Sequence, residues 1–287
     1  MPRKLDFENV PSLDDVLKTN SLFLELVLNS RLLCGAECSV HVDVCRSYAW
    51  NRLSLRCLIY SLKFDSAPVS ASTELGWQHY NVKVCPTTIP NGAINLSGVF
   101  TPGTTSNATC DFGYGTISGQ ITAACNAHYQ TEVSDTCHPL IMDAALGRPS
   151  KESTTIMSSN PASVAVDGNR DTNWMSGSCT HTSFGDPTPW WRVDLQRVLY
   201  IITVRLLNRG SDSTGIDSSG RLKDATVNTG NTTLSITTPC GFFAGPGTLG
   251  QLVTINCPPY TVGRFVKISI VTEFLTLCEV DVFAIAP

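Results

Sequence analysis

Twelve cysteines constrain this 287-residue chain more than any other feature. They fall into three sets of four: Cys34, Cys38, Cys45 and Cys57; Cys85, Cys110, Cys125 and Cys137; Cys179, Cys240, Cys257 and Cys278. An even number, spread along a chain rich in Gly, Pro, Ser and Thr, points to disulfides and an oxidising compartment. Each set predicts a module. The sequons at Asn95, Asn107 and Asn231 fit a glycoprotein. The opening MPRKLDFENVPSLDDVLKTN has no apolar h-region and is not a secretory signal peptide. Two explanations stand: a natural start upstream of Met1 in a secreted protein, or a cytosolic chain with reduced cysteines. The spread of cysteines and sequons favours the first.

Charge removes several functions. Charged residues are 15% of the chain and the net charge is −4, so no basic stripe marks a nucleic-acid binder. No run of like charges reads as a polyanion or membrane tail. No apolar stretch approaches the roughly 18 residues of a transmembrane helix, which excludes membrane insertion. The sequence holds no nucleophile elbow, P-loop or HExxH, and no histidine with an evident Ser/Asp partner, so an enzyme is not expected.

Residues 1–19 read as a flexible extension. In residues 20–84, Leu26, Leu32, Leu33 and Ala36 recur at helical spacing, which puts Cys34 and Cys38 one turn apart on one helix face. CRSYAWN and RCLIY then read as short strands. Four close cysteines also raise zinc, but the paired knuckles of zinc sites are missing. The stretch resembles the PAN/apple module, an α+β unit, and this resemblance implies Cys34–Cys57 and Cys38–Cys45.

Residues 85–138 are turn-rich and too short to bury much core, so two staples are expected. Four cysteines allow three connectivities. CDFGYGTISG and an early NG turn resemble a small β module of the sushi type, although the usual Trp before the last cysteine is absent. That family implies Cys85–Cys125 and Cys110–Cys137.

Residues 139–287 are strand-rich. Trp191, Val193 and Leu195 alternate with Arg192 and Asp194; Val266, Ile268 and Ile270 with Lys267 and Ser269; Val280 and Val282 follow the same period. Short period-2 segments between Gly, Pro and Asn turns predict an antiparallel sandwich, with Trp191 in its core. AVDGNRDTNWMSGSCTHTS is different: too polar to be held by apolar packing. Either its Asx side chains satisfy their own backbone, or a hard cation such as Ca²⁺ gathers its oxygens.

The whole segment, from ALGRPSKEST through SVAVDGNRDTNW, PWWRVDLQ and RFVKI to LCEVDVF, resembles the fucolectin (F-type lectin) domain, a discoidin-like jelly-roll β-sandwich. The chain as a whole is thus expected to be mainly β and multidomain. The resemblance implies a calcium site of Val164 and Asn169 (backbone), Asp167, Ser178, Cys278 (backbone) and Glu279. It implies the pairs Cys179–Cys278 and Cys240–Cys257. It implies that His181, Arg209 and Arg221 grip L-fucose, while an apolar wall takes the 6-methyl group. A guanidinium offers several donors in a rigid fork, and an imidazole donates or accepts. The chain departs from the family in RGSDSTGIDSSGR. Its aspartate is displaced to Asp212, residues are inserted, and two adjacent cysteines are absent, which predicts a looser loop. The expectation is a secreted, calcium-stabilised, non-enzymatic lectin for fucosylated glycans, acting in defence or adhesion and gaining avidity through homo-oligomers. The competing reading is an extracellular scaffold with a degenerate sugar site.

Overall fold

The structure, a computed structural model, describes residues 5–287 apart from 12–15, 18–21, 42–43, 62, 64–71 and 214. The chain divides into two units: Met1–Thr109 with Thr122–Ser134, and Cys110–Ile121 with Asp135–Pro287.

In the first unit, β1 (Phe7–Asn9), β3 (Leu22–Val27), β4 (Ser47–Asn51), β5 (Arg56–Tyr60) and β7 (Trp77–Val82) form one antiparallel sheet in the order β1-β7-β4-β5-β3; β2 (Val16–Leu17) and β6 (Ser72–Thr73) pair separately. The helix α1 (Arg31–Val40) packs on that sheet, its first turn capped by Ser30 Oγ, which accepts from Leu33 N–H at 3.2 Å. The face that α1 buries is Cys34, Gly35 and Cys38. Cys34 bonds to Cys57 and Cys38 to Cys45, so half-cystines replace a leucine stripe as the packing surface. Two expectations change here. Leu26 lies on β3 opposite Cys57, not on the helix, and Leu32, Leu33 and Ala36 face outward. Residues 5–10, expected within a flexible extension, close one side of the sheet: Phe7 pairs with Val82, and Leu5 is buried in the core beneath α1.

Five short strands follow in a second antiparallel sheet: β8 (Thr88–Ile89), β9 (Gly92–Ile94), β10 (Thr105–Cys110), β12 (Ile121–Cys125) and β13 (Thr131–Val133), in the order β13-β12-β10-β9-β8. Cys85–Cys125 and Cys110–Cys137 staple this segment. Its intervening β11 (Tyr114–Gly115) pairs with β14 (His138–Ile141), and 110–121 and 135–138 group with the second unit.

The second unit is a β-sandwich built around β16 (Trp190–Leu207). The first half of β16 is flanked by β15 (Ser150–Glu152) and β20 (Val262–Ser269); the second half by β19 (Leu252–Asn256) and β21 (Glu279–Ile285). The change happens where the register shifts between Asp194 and Leu199, at Gln196 with φ +63°. A bulge bends the strand and lets it serve two layers. β17 (Ala225–Gly230) and β18 (Thr238–Phe243) extend the sheet beyond β20, and Cys240–Cys257 lies at that side. Trp191, Val193, Leu195, Val266, Ile268, Val280 and Val282 are all at most 1% exposed, the inward phase of their strands. Trp191 also donates its indole N–H to Ala162 C=O at 2.8 Å. β21 departs from simple alternation: Glu279 and Asp281, in the other phase, are buried as well. The polar loop packs over that face, and Arg170 and Gly168 reach those carboxylates.

Candidate functional site

The loop from Val164 to His181 is held first by its own side chains. Asp167 Oδ1 accepts from Asn169 N–H at 2.8 Å, Asn169 from Asp171, Asp171 from Asn173 and Asn173 from Met175, each of the last three at 3.0 Å. These are four consecutive Asx turns, each oxygen capping the amide two residues on. Asn173 thereby starts a short 3₁₀ turn over Trp174–Ser176, which Gly177 ends at φ +80°, a conformation that suits glycine. Ser178 Oγ lies 3.0 Å from both Asp171 Oδ2 and Asn173 C=O. Cys179–Cys278 then ties the loop to the start of β21.

The far side of the loop meets Glu279. Its Oε1 accepts from Gly168 N–H at 3.1 Å; its Oε2 is buried without a partner. Burial, with the nearby charges of Asp167, Asp281 and Asp143, pushes its pKa up to about 7 against the single opposing bond from Gly168. Asp143, Glu279 and Asp281 each bring a carboxylate oxygen within 4.8 Å of the others. Asp281 is paired to Arg170, and Asp143 Oδ1 accepts from Ala145 and Val282 N–H. Glu279 is therefore the member of the group that lacks compensation. Asp143 and Asp281 are not among the site residues expected from the sequence. Asp281 had a usable signal, since it shares a strand face with Glu279 two residues away; Asp143 had none.

At the end of the loop, His181 is 4% exposed. Its ring lies between Trp174 (centroids 5.2 Å apart) and Phe274 (5.1 Å). Nδ1 is 2.7 Å from the carbonyl of Thr182. A carbonyl only accepts, so Nδ1 carries the proton in the neutral ring and Nε2 presents a lone pair. Burial lowers the His181 pKa; the bond to Thr182 opposes this, and Arg221 and Arg209 add to it. The imidazole is neutral near pH 7, with an acceptor facing outward toward Arg221 Nη1 at 3.5 Å.

The two arginines reach this place from the later loop. Arg221 is exposed, with its guanidinium 4.7 Å from the Phe274 ring centroid. Arg209 is 4% exposed; it lies 5.5 Å from the Trp174 centroid and pairs with Asp212. Its Nε is buried without a partner. Within residues 217–219, Asp217 Oδ1 accepts from the N–H and hydroxyl of Ser219. Gly210 fastens the later loop to the polar loop: its N–H donates to Thr172 C=O at 2.8 Å, and a Cβ there would collide with Thr172 Oγ1. His181, Arg209 and Arg221 thus surround one spot, walled by Trp174 and Phe274. Phe274 was missed by sequence reasoning, because a lone aromatic in the irregular VTEFLTL stretch carries no periodicity. Trp190, half-buried, is elsewhere, between Arg192 and Lys267 on the sheet.

A fucolectin of Anguilla anguilla is 42% identical to this chain over 125 residues, 42% of the chain and 75% of that protein. The chain belongs to the fucolectin family. Fucolectin-1 of Anguilla japonica is 39% identical over 127 residues, 43% of this chain and 67% of that one. The model of the NedA-like, galactose-binding domain matches residues 164–268. A solved fucose-binding module of Streptococcus pneumoniae is 27% identical, covering 50% of this chain and 94% of its own, with a TM-score of 0.43. The fucolectin domain here has the discoidin-like β-sandwich fold, and its family is one of lectins, not enzymes.

Proposed function

We propose that this fucolectin domain binds L-fucose-terminated glycans through His181, Arg209 and Arg221. The observation that carries this is the pairing of opposite hydrogen-bonding characters at one spot. Neutral His181 offers an acceptor at Nε2, and the arginines offer donors, so adjacent sugar hydroxyls and a ring oxygen find complementary partners. The rings of Trp174 and Phe274 supply apolar surface for the 6-methyl group. Asp212, displaced in sequence, still serves Arg209 by holding its guanidinium. The names of the eel relatives support the same ligand class.

Calcium belongs to this reading. The donors Val164 and Asn169 (backbone), Asp167, Ser178, Cys278 (backbone) and Glu279 are all hard oxygens, the set that Ca²⁺ takes. The test of fit is Glu279, whose Oε2 is buried and unpartnered, as an anionic ligand waiting for a cation is. A bound calcium supplies positive charge against Glu279 and Asp167. The Asx turns hold the loop's backbone by themselves, so the ion's contribution is to that carboxylate pair and not to the loop's whole shape.

Six disulfides favour an oxidising compartment, so the protein is read as secreted. On this reading residues 20–84 and 85–138 derive from PAN/apple-like and sushi-like modules, the setting is innate defence or adhesion, and oligomers supply avidity. A glycan array is the test. Fucose-terminated glycans should dominate the hits, and His181→Ala should lose them. Hits without fucose, or hits that survive this change, put the site elsewhere; an array with no hits returns the chain to a scaffold role.

A further inference from the structure

We propose that the first unit captures an extended peptide of a partner protein as an added strand on β1, with alternate apolar side chains entering the groove between β1 and α1 and an acidic side chain meeting Arg31.

The sheet edge comes first. β1 has β7 on one side and, among the described residues, no strand on the other. Lys83 N–H donates to Asp6 C=O at 2.8 Å, and Val10 N–H donates to His79 C=O at 2.9 Å. In an antiparallel ladder, residues alternate in the direction of their main-chain groups. Asp6, Glu8 and Val10 therefore turn theirs toward β7, and Phe7 and Asn9 turn N–H and C=O to the open edge. Such an edge is a template for another strand. Phe7–Asn9 contains no proline or lysine to blunt it.

The groove comes second. A cavity of about 700 Å³ runs between β1 and α1. One wall is the helix line Leu32, Ala36 and Val40, spaced by four and so in register along α1. Leu32 is 77% and Val40 73% exposed, an apolar stripe where a solvent-facing helix normally carries charge. The deeper part is Tyr48 stacked on Tyr80, ring centroids 4.9 Å apart. An extended chain on β1 would point every second side chain at this surface.

Charge decides the third feature. Arg31, at one end of the groove, donates to Tyr80 OH at 2.9 Å and, among the described residues, pairs with no carboxylate. The groove's own acid, Asp6, accepts from Tyr129 OH. Both groove charges are thus bonded only to tyrosine hydroxyls, and an acidic side chain of the peptide, in the groove-facing phase, complements Arg31.

The probe is a set of fluorescein-labelled peptides, Thr-X-Thr-X-Thr-Glu-Thr, with X as Val, Leu, Ile or Phe, titrated against the full disulfide-intact chain by fluorescence anisotropy. At least one peptide should bind saturably. Ala36→Arg fills the groove from an exposed helix position that arginine suits, and should weaken that binding at least tenfold with the circular dichroism unchanged. N-methylation of one alternate set of peptide amides should abolish binding while the other set is tolerated. Arg31→Glu should lose the Glu peptide and accept its Lys counterpart. The proposal is overturned if no peptide saturates by 1 mM, if Ala36→Arg binds like the parent, or if both methylation phases act alike. Sedimentation that shows a dimer abolished by Ala36→Arg would also overturn it, since the occupant would then be a second copy of the chain.

Discussion

His181 holds its Nδ1 proton on the carbonyl of Thr182 and turns Nε2 toward Arg221, 3.5 Å away. A cation beside a lone pair is attractive; a cation beside an imidazolium is not. The contact is favourable only while the ring is neutral, and in the proposed role of His181 it ties sugar binding to protonation. His181 should titrate below the ordinary histidine value of 6.5 in an NMR pH series. Arg221→Gln removes one like charge and should move that pKa upward, toward the ordinary value. Because the folded-state value is lowered, this residue's contribution to stability is present above the unfolded value and is lost as pH falls through the folded one. An unshifted His181, or no response to Arg221→Gln, would contradict the proposed acceptor.

Glu279 makes a sharper test of calcium than chelation alone. Chelator should lower the Tm of the lectin unit by several degrees. Glu279→Gln should abolish that response, and in chelator above pH 7 it should raise Tm, because an amide avoids the cost of a buried, unpaired carboxylate. A Tm that ignores chelator in the parent protein removes the metal from the account.

Glu152 offers a pH test away from both sites. Burial pushes its pKa up to about 7, with the hydroxyl of Thr155 opposing. A raised folded-state value means that stability is fully present below the unfolded value of about 4.5 and declines as pH rises through about 7. Glu152→Gln should flatten the Tm-against-pH curve in that window relative to the parent, and parallel curves would refute the assignment.

Cys179–Cys278 spans a sequence separation of 99 residues. Replacing both cysteines with alanine should cost about 2–5 kcal/mol by denaturant unfolding, mainly through the freed unfolded chain. Sugar affinity should drop too, since the bond lies one residue from Thr180 and two from His181 in sequence. Stability lost with affinity unchanged would mean that Trp174 and Phe274 position His181 unaided.

Asn173→Ala removes the oxygen that caps Met175 N–H and should cost about 1 kcal/mol, the usual worth of such a cap. It should also weaken binding, because Trp174 is the first residue of the turn it starts.

Period-2 alternation was enough to place Trp191, Val266 and Val280 inside the sandwich, because a strand's two faces are separated by every second residue. It failed at Glu279 and Asp281, because a loop contributed from more than a hundred residues away covers the second face of β21. Leu26 misled for a related reason: three leucines and Ala36 at helical spacing describe a helix only if the chain does not break, and here Ser30 caps the helix after a strand has ended. The disulfide partners came from family resemblance; spacing alone left three connectivities per set. Phe274 and Arg209 meet His181 through loops whose paths no local pattern encodes.

The Asx ladder of Asp167, Asn169, Asp171 and Asn173 sets a rule for how such a loop can change length. Each rung reads the amide two positions ahead, so the loop counts in pairs. Deleting one intervening residue, such as Gly168, Arg170 or Thr172, breaks the rung that spans it, while every later oxygen keeps the amide two positions ahead of it. Deleting or adding a two-residue rung keeps the count and moves Trp174 bodily. A designer wishing to resize the Trp174 wall of the proposed sugar site can therefore lengthen this loop in steps of two while leaving its hydrogen bonds intact.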